Sequence, residues 1–134
     1  MAIKTYRGSC HCGKVTFEAD IDLAEGTGRC NCSFCWKTRK WGIGLKPDAL
    51  RLLTGKDDLS DYSSGPHSHN LFCKHCGVRP YSYGTVAEIG GDYVSVYLTA
   101  LDDVDPLELI EAPLRYMDGK ANNWWHPPAE TRHL

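Results

Sequence analysis

No stretch of this 134-residue chain approaches the roughly 20 consecutive apolar residues needed to cross a bilayer as a helix. The opening Met1-Ala2-Ile3-Lys4-Thr5-Tyr6-Arg7 has no apolar core of a secretory signal, so the expectation is a cytoplasmic protein with no membrane partner. Positive charge is not in excess either. Fifteen Lys and Arg stand against seventeen Asp and Glu, a formal net charge of −2, and there is no basic tail. Such a chain has little to neutralise a phosphate backbone, which makes nucleic acid an unexpected partner. Repeats, low-complexity tracts and linker-like segments are missing as well, which leaves residues 1–134 as one small domain. A domain of this size buries a modest share of its surface on folding and gains from a covalent or metal staple.

Long helical periodicity is also lacking. Val15 and Phe17 alternate with Lys14, Thr16 and Glu18, the period of a strand with one buried face. Short apolar or aromatic stretches recur at Leu50 to Leu53, Leu71 and Phe72, Tyr81 and Tyr83, Tyr93 to Leu98, and Leu114 to Tyr116. Turn-forming residues separate them at Gly55, Asp57-Asp58, Ser64-Gly65-Pro66, Gly90-Gly91-Asp92 and Asp118-Gly119. Only Ser33 to Lys40 and Pro106 to Glu111 are expected to form helices, both brief. The reading is an all-β domain of short antiparallel strands with the cysteines on its turns. Near the C-terminal end, Trp124-Trp125 beside Pro127-Pro128 reads as an irregular hydrophobic lid, or alternatively as a wall of the binding site.

Cysteine is what the chain has in quantity. All seven lie in three clusters: Cys10-His11-Cys12-Gly13, Cys30-Asn31-Cys32-Ser33-Phe34-Cys35 and Cys73-Lys74-His75-Cys76-Gly77. In a reducing compartment closely spaced cysteines read as metal ligands before disulfides, and an odd count leaves no full pairing. Cys73 and Cys76 form a knuckle that aims two thiolates at one point, with Gly77 relieving the backbone. Cys10 and Cys12 supply a second pair, and two plus two is the common grammar of a closed zinc site. The middle cluster holds three thiolates within six residues, enough to hold an ion without distant help. The economical partition is therefore one Zn(II) on Cys10, Cys12, Cys73 and Cys76, and a second on Cys30, Cys32 and Cys35. Partitions that mix Cys30 or Cys35 with the last knuckle leave one ligand set poorly shaped, and iron is an alternative metal for all-thiolate ligation. His67, His69 and His75 are not assigned to metal.

A four-thiolate site is a fastener, whereas a three-ligand site keeps a position for water or substrate. Three thiolates leave a divalent ion with a net charge of about −1, a weak Lewis acid better suited to holding a thiol as thiolate than to making hydroxide. Cys30, Cys32 and Cys35 are thus the candidate catalytic centre. Arg29, Lys37, Arg39 and Lys40 are placed to offset the thiolates or to meet carboxylates of an anionic substrate.

At these three clusters the sequence resembles the glutathione-dependent formaldehyde-activating enzyme family, whose relatives include centromere protein V. Gly8-Ser9-Cys10-His11-Cys12-Gly13, Cys30-Asn31-Cys32-Ser33-Phe34-Cys35 and Phe72-Cys73-Lys74-His75-Cys76-Gly77 carry the likeness, with a weaker match at Val94-Ser95-Val96-Tyr97-Leu98 and Leu101-Asp102-Asp103. The resemblance implies a β-tent-like fold, a structural zinc on Cys10, Cys12, Cys73 and Cys76, and a catalytic zinc on Cys30, Cys32 and Cys35. It also implies a carbon–sulfur lyase that joins glutathione to formaldehyde as S-hydroxymethylglutathione. The alternative to an enzyme is a zinc-stapled binding module.

Elemental analysis of reduced, purified protein is expected to give close to two zinc ions per chain. One ion per chain, or mostly iron, would refute the division of the cysteines.

Overall fold

The computed structural model describes residues 2–134, so Met1, where the expected domain begins, lies outside the described residues. The architecture is mostly β, with two short α-helices. A three-stranded sheet contains β1 (Lys4–Ser9), β2 (Thr16–Ile21) and β5 (Leu50–Thr54) in the order β1-β2-β5. A seven-stranded sheet contains β3 (Thr27–Cys30), β4 (Gly42–Leu45), β6 (Leu59–Gly65), β7 (Ser68–Cys73), β8 (Tyr81–Val86), β9 (Gly91–Tyr97) and β10 (Leu114–Met117). Its strand order is β10-β3-β4-β9-β8-β7-β6.

The period-two pattern of β2 decides how the sheets meet. Phe17, Ala19 and Ile21 are fully buried, while Thr16, Glu18 and Asp20 between them are not. With Tyr6 of β1 they face Ile43 of β4 and Val96 of β9, which are themselves cross-strand partners, and the cluster continues into Leu98 and Leu101. The ring of Phe17 meets Tyr81 of β8 edge-on, centroids 5.9 Å apart. On the opposite face of the small sheet Arg51 bridges Asp20 at 2.8 Å and Glu18 at 3.5 Å. Each large side chain moved into this core contributes roughly 1.5–3 kcal/mol.

Helix α1 (Ser33–Thr38) stops two residues short of the expected Lys40, because Arg39 turns left-handed at φ 55 and ψ 40. Helix α2 (Pro106–Glu111) has the expected bounds and carries a capping box between Asp105 and Glu108. Glu108 also accepts hydrogen bonds from Lys4 Nζ and from the Tyr6 hydroxyl at 2.9 Å, tying α2 to β1. The Lys4 ammonium, the Asp105 N–H and the Tyr6 hydroxyl hold the Glu108 carboxyl down to about 2.

One pairing departs from the expected antiparallel pattern. β10 runs parallel to β3, Leu114 opposite Thr27 and Met117 opposite Cys30. Parallel neighbours need a long crossover, and here the other strands of the sheet and α2 all lie between the two in sequence. β10 takes the edge of β3 that β4 leaves free.

Gly8 pairs with Phe17 across the small sheet, and the Phe17 ring lies over it so closely that a Cβ there would strike the ring. Gly8→Ala is therefore expected to cost about 2 kcal/mol by overpacking, read as a lower denaturant midpoint at unchanged slope. An unchanged midpoint would mean that the ring does not need this space.

Candidate metal centre

Two turns of matching construction face one another. In the first, between β1 and β2, the Cys10 N–H donates to the Val15 carbonyl at 3.0 Å and Gly13 N–H returns to Cys10 at 3.2 Å. In the second, after β7, the Cys73 N–H donates to Val78 at 2.9 Å and Gly77 N–H returns to Cys73 at 2.8 Å. Gly13 and Gly77 sit at φ 81 and φ 78, a region open to glycine at no steric cost. These turns bring the sulfurs of Cys10, Cys12, Cys73 and Cys76 within 4.8 Å of one another. The Cys10–Cys12 and Cys12–Cys73 separations are 3.6 and 3.7 Å. A tetrahedral zinc with Zn–S near 2.3 Å needs sulfurs about 3.8 Å apart, so this donor set fits the ion. No disulfide joins any of the seven cysteines. Cys10 and Cys73 are buried with Val15, against Leu52, Leu59 and Val78. The Val78 N–H, then the Cys12 N–H, hold the Cys76 thiol down to about 6, which favours the thiolate a metal needs.

Cys30, Cys32 and Cys35 form a separate group whose sulfurs also lie within 4.8 Å of one another. Cys30 ends β3, Cys32 caps α1 and Cys35 lies in its first turn. The Cys30 sulfur accepts the Cys32 N–H, and the Cys32 sulfur the Cys35 N–H, each at 3.4 Å. Hydrogen bonds from the Cys30 and Cys35 thiols, and then the N–H groups of Cys35 and Phe34, hold Cys32 well below the usual thiol range. Cys30 and Cys35 are in turn pushed up, Cys30 first by its bond to Cys32 and Cys35 first by its bond to Cys30. No fourth Cys, His, Asp or Glu joins the group among the described residues. Each cysteine group is arranged to hold an ion, consistent with zinc.

A clip that spacing could not reveal holds the triad's turn. Asn31 donates from Nδ2 to Asp118 Oδ1 at 2.9 Å and accepts the Lys120 N–H at 2.9 Å, while its own N–H reaches the Met117 carbonyl at 3.2 Å. Gly119 closes the wall. A Cβ there would lie 2.7 Å from the Cys30 sulfur and 2.5 Å from the Trp124 ring. The only signal for this in the sequence is the Asp118-Gly119 turn. Trp125, by contrast, is 70% exposed.

A hollow of ≈ 10 Å³ beside Cys30 and Cys35 is lined by Arg29, Trp36, Arg39, Lys40 and Leu134. Lys37 is exposed and not in the lining. The Lys40 ammonium donates to Ser82 Oγ at 3.1 Å and stands 5.0 Å over the Tyr97 ring. Burial lowers its pKa, against the opposing pull of Cys35, Cys32 and Cys30. The nearby Tyr97 hydroxyl is buried, with no well-formed hydrogen bond among the described residues. Two of the histidines left out of the ligand sets have carboxylate partners, His75 on Asp58 at 2.7 Å and His69 on Asp61 at 2.6 Å, while His67 lines a separate cavity with His69, Tyr83 and Tyr93.

The model of the family described as glutathione-dependent formaldehyde-activating enzyme matches residues 5–115. The fold is similar to the crystal structure of a Rhodobacter sphaeroides protein, with 28% sequence identity over 81% of this chain and 99% of that one, at a TM-score of 0.67. All seven cysteines fall inside the family match. The segment that carries Asp118, Gly119 and Trp124 falls outside it.

Cys73→Ser is expected to abolish cooperative unfolding, because a structural zinc contributes about 10–16 kcal/mol in small model domains. Cys32→Ser is expected to stay folded with weaker metal binding. Equal melting of the two variants would contradict this difference between the groups.

Proposed function

We propose that this chain, which belongs to the glutathione-dependent formaldehyde-activating enzyme family, is a cytoplasmic zinc-dependent carbon–sulfur lyase acting at Cys30, Cys32 and Cys35. The observation that carries the reading is the contrast between four sulfurs in one group and three in the other, with no fourth side-chain ligand beside the three among the described residues. A zinc ion bound by the three supplies an open coordination position and lowers the pKa of a thiol that enters it. Cys10, Cys12, Cys73 and Cys76 hold the structural ion, which makes residues 1–134 one zinc-stapled, β-tent-like domain. No helix among the described residues is long and apolar enough to cross a membrane.

The substrate we favour is glutathione with formaldehyde. The thiol sulfur bonds to the carbonyl carbon, the carbonyl π bond opens, and the thiol proton ends on the new hydroxyl. S-hydroxymethylglutathione forms and nothing is oxidised. Cys30, Cys32 and Cys35 orient the reacting sulfur. Lys40, anchored on Ser82, supplies an N–H to the oxygen as negative charge develops on it. Arg29 and Arg39 keep positive charge at the rim of the hollow.

A second reading, a zinc-stapled binding module without catalysis, is favoured by the size of the hollow. At ≈ 10 Å³ it takes about one water, far less than a tripeptide.

Formaldehyde and thiols combine without a catalyst, so product alone is uninformative. The rate of glutathione–formaldehyde exchange, followed by NMR, is expected to rise with native protein and to return to the uncatalysed rate with folded Cys32→Ser. No acceleration by native protein, with no change in the absorption of the cobalt-substituted triad on adding glutathione, would rule out the glutathione reading.

A further inference from the structure

Arg39 adopts a backbone conformation that side-chain-bearing residues disfavour. It follows α1 at φ 55 and ψ 40, where helices commonly place glycine, and a left-handed non-glycine residue at a site is a reason to look for what its side chain does. The side chain lies over the Trp36 ring, 5.0 Å from its centroid, and lines the hollow beside Cys30 and Cys35. A glycine would satisfy the turn but leave no guanidinium there.

Three cations share this hollow without an acidic partner. Arg29, Arg39 and Lys40 have no carboxylate within ion-pair distance among the described residues, and no Asp or Glu is in the lining. That is notable in a chain with more acidic than basic residues. Arg29 stands 4.8 Å over Trp41, and Lys40 meets Ser82 and the Tyr97 ring. Among the described residues the one acceptor that Arg39 reaches is the His133 carbonyl, at 2.9 Å from Nη1. The His133 ring also packs on Trp36 at 5.3 Å, and Leu134 reaches the lining. A neutral carbonyl thus rests where a guanidinium fork is shaped for two oxygens.

We propose that Arg39, with Arg29 and Lys40, forms an oxyanion subsite that selects thiols bearing a carboxylate, and that the His133 carbonyl fills it until such a thiol displaces residues 131–134. This rests on the reading above, in which a thiol binds the ion held by Cys30, Cys32 and Cys35. Electrostatics sharpens the consequence. An ion held by three thiolates carries net negative charge and repels a carboxylate brought close to it. A carboxylated thiol therefore depends on the cations in a way that a neutral thiol does not.

The test uses the full chain with cobalt at the triad, titrated with 3-mercaptopropionate and with 2-mercaptoethanol while the sulfur-to-cobalt absorption is followed. Comparing native protein with Arg39→Gln cancels the different acidities of the two thiols. Arg39→Gln is expected to weaken 3-mercaptopropionate about tenfold or more and to leave 2-mercaptoethanol unchanged. Arg39→Gly is expected to lose the same discrimination while melting no lower than native, since glycine suits the left-handed turn. Equal weakening of both thiols, no weakening of either, or discrimination retained by Arg39→Gly would overturn the subsite alone. If neither thiol alters the native spectrum, thiol binding at the triad is itself wrong, and the subsite falls with it.

Discussion

Four sulfurs meeting at one point are the constraint on which the rest of the molecule depends. Cys12 and Cys73 are 61 positions apart in sequence and their sulfurs 3.7 Å apart in space. The turn between β1 and β2 is thereby brought against the end of β7, and the small sheet against the large one. The hydrophobic contact between the sheets runs through Phe17, Ile21, Val96 and Leu98, whereas the second cluster around Cys10 and Cys73 is small. Total stability of a domain this size is about 5–15 kcal/mol, the same scale as one structural zinc site. A metal at this point would govern whether the two sheets stay together.

The triad is built on the opposite principle. Its sulfurs come from the end of β3 and the first turn of α1, so an ion there ties together little that is not already adjacent. Freed from a fastening role, the group can leave one side to a ligand. The neighbouring contacts suit that division: the Asn31 clip to Asp118 and Lys120 fixes the turn, while the cations stand at the edge. On the proposed reading stability and chemistry fall on different cysteines, so that a substitution at one group is expected to leave the other undisturbed.

What was legible in the sequence was local. Cys-x-Cys and Cys-x-x-Cys spacings sort the sulfurs because a tight turn fixes where neighbouring side chains point. The alternation of Val15 and Phe17 with Lys14, Thr16 and Glu18 marks a one-sided strand for the same reason, and α2 has the bounds expected for Pro106 to Glu111. β1, β3, β4 and β6 have fewer apolar residues or more glycine and gave no such pattern. The parallel pairing of β10 with β3 has no local signature, since it depends on where the intervening strands leave an open edge. Lys37 and Arg39 look alike on paper. Arg39, in the left-handed turn after α1, lines the hollow, and Lys37, inside the helix, does not. Gly119 reads as a turn residue, and its closeness to the Cys30 sulfur follows only once the segment after β10 is folded back.

The account's central claim is that seven sulfurs serve two ions, one saturated and one open to a thiol. X-ray absorption at the zinc edge of fully loaded protein tests it most directly. An average shell of about 3.5 sulfurs per zinc near 2.3 Å, rising toward four when a binding thiol is added, is the result the account predicts. A shell with nitrogen in place of sulfur, or one that a thiol leaves unchanged, would contradict it.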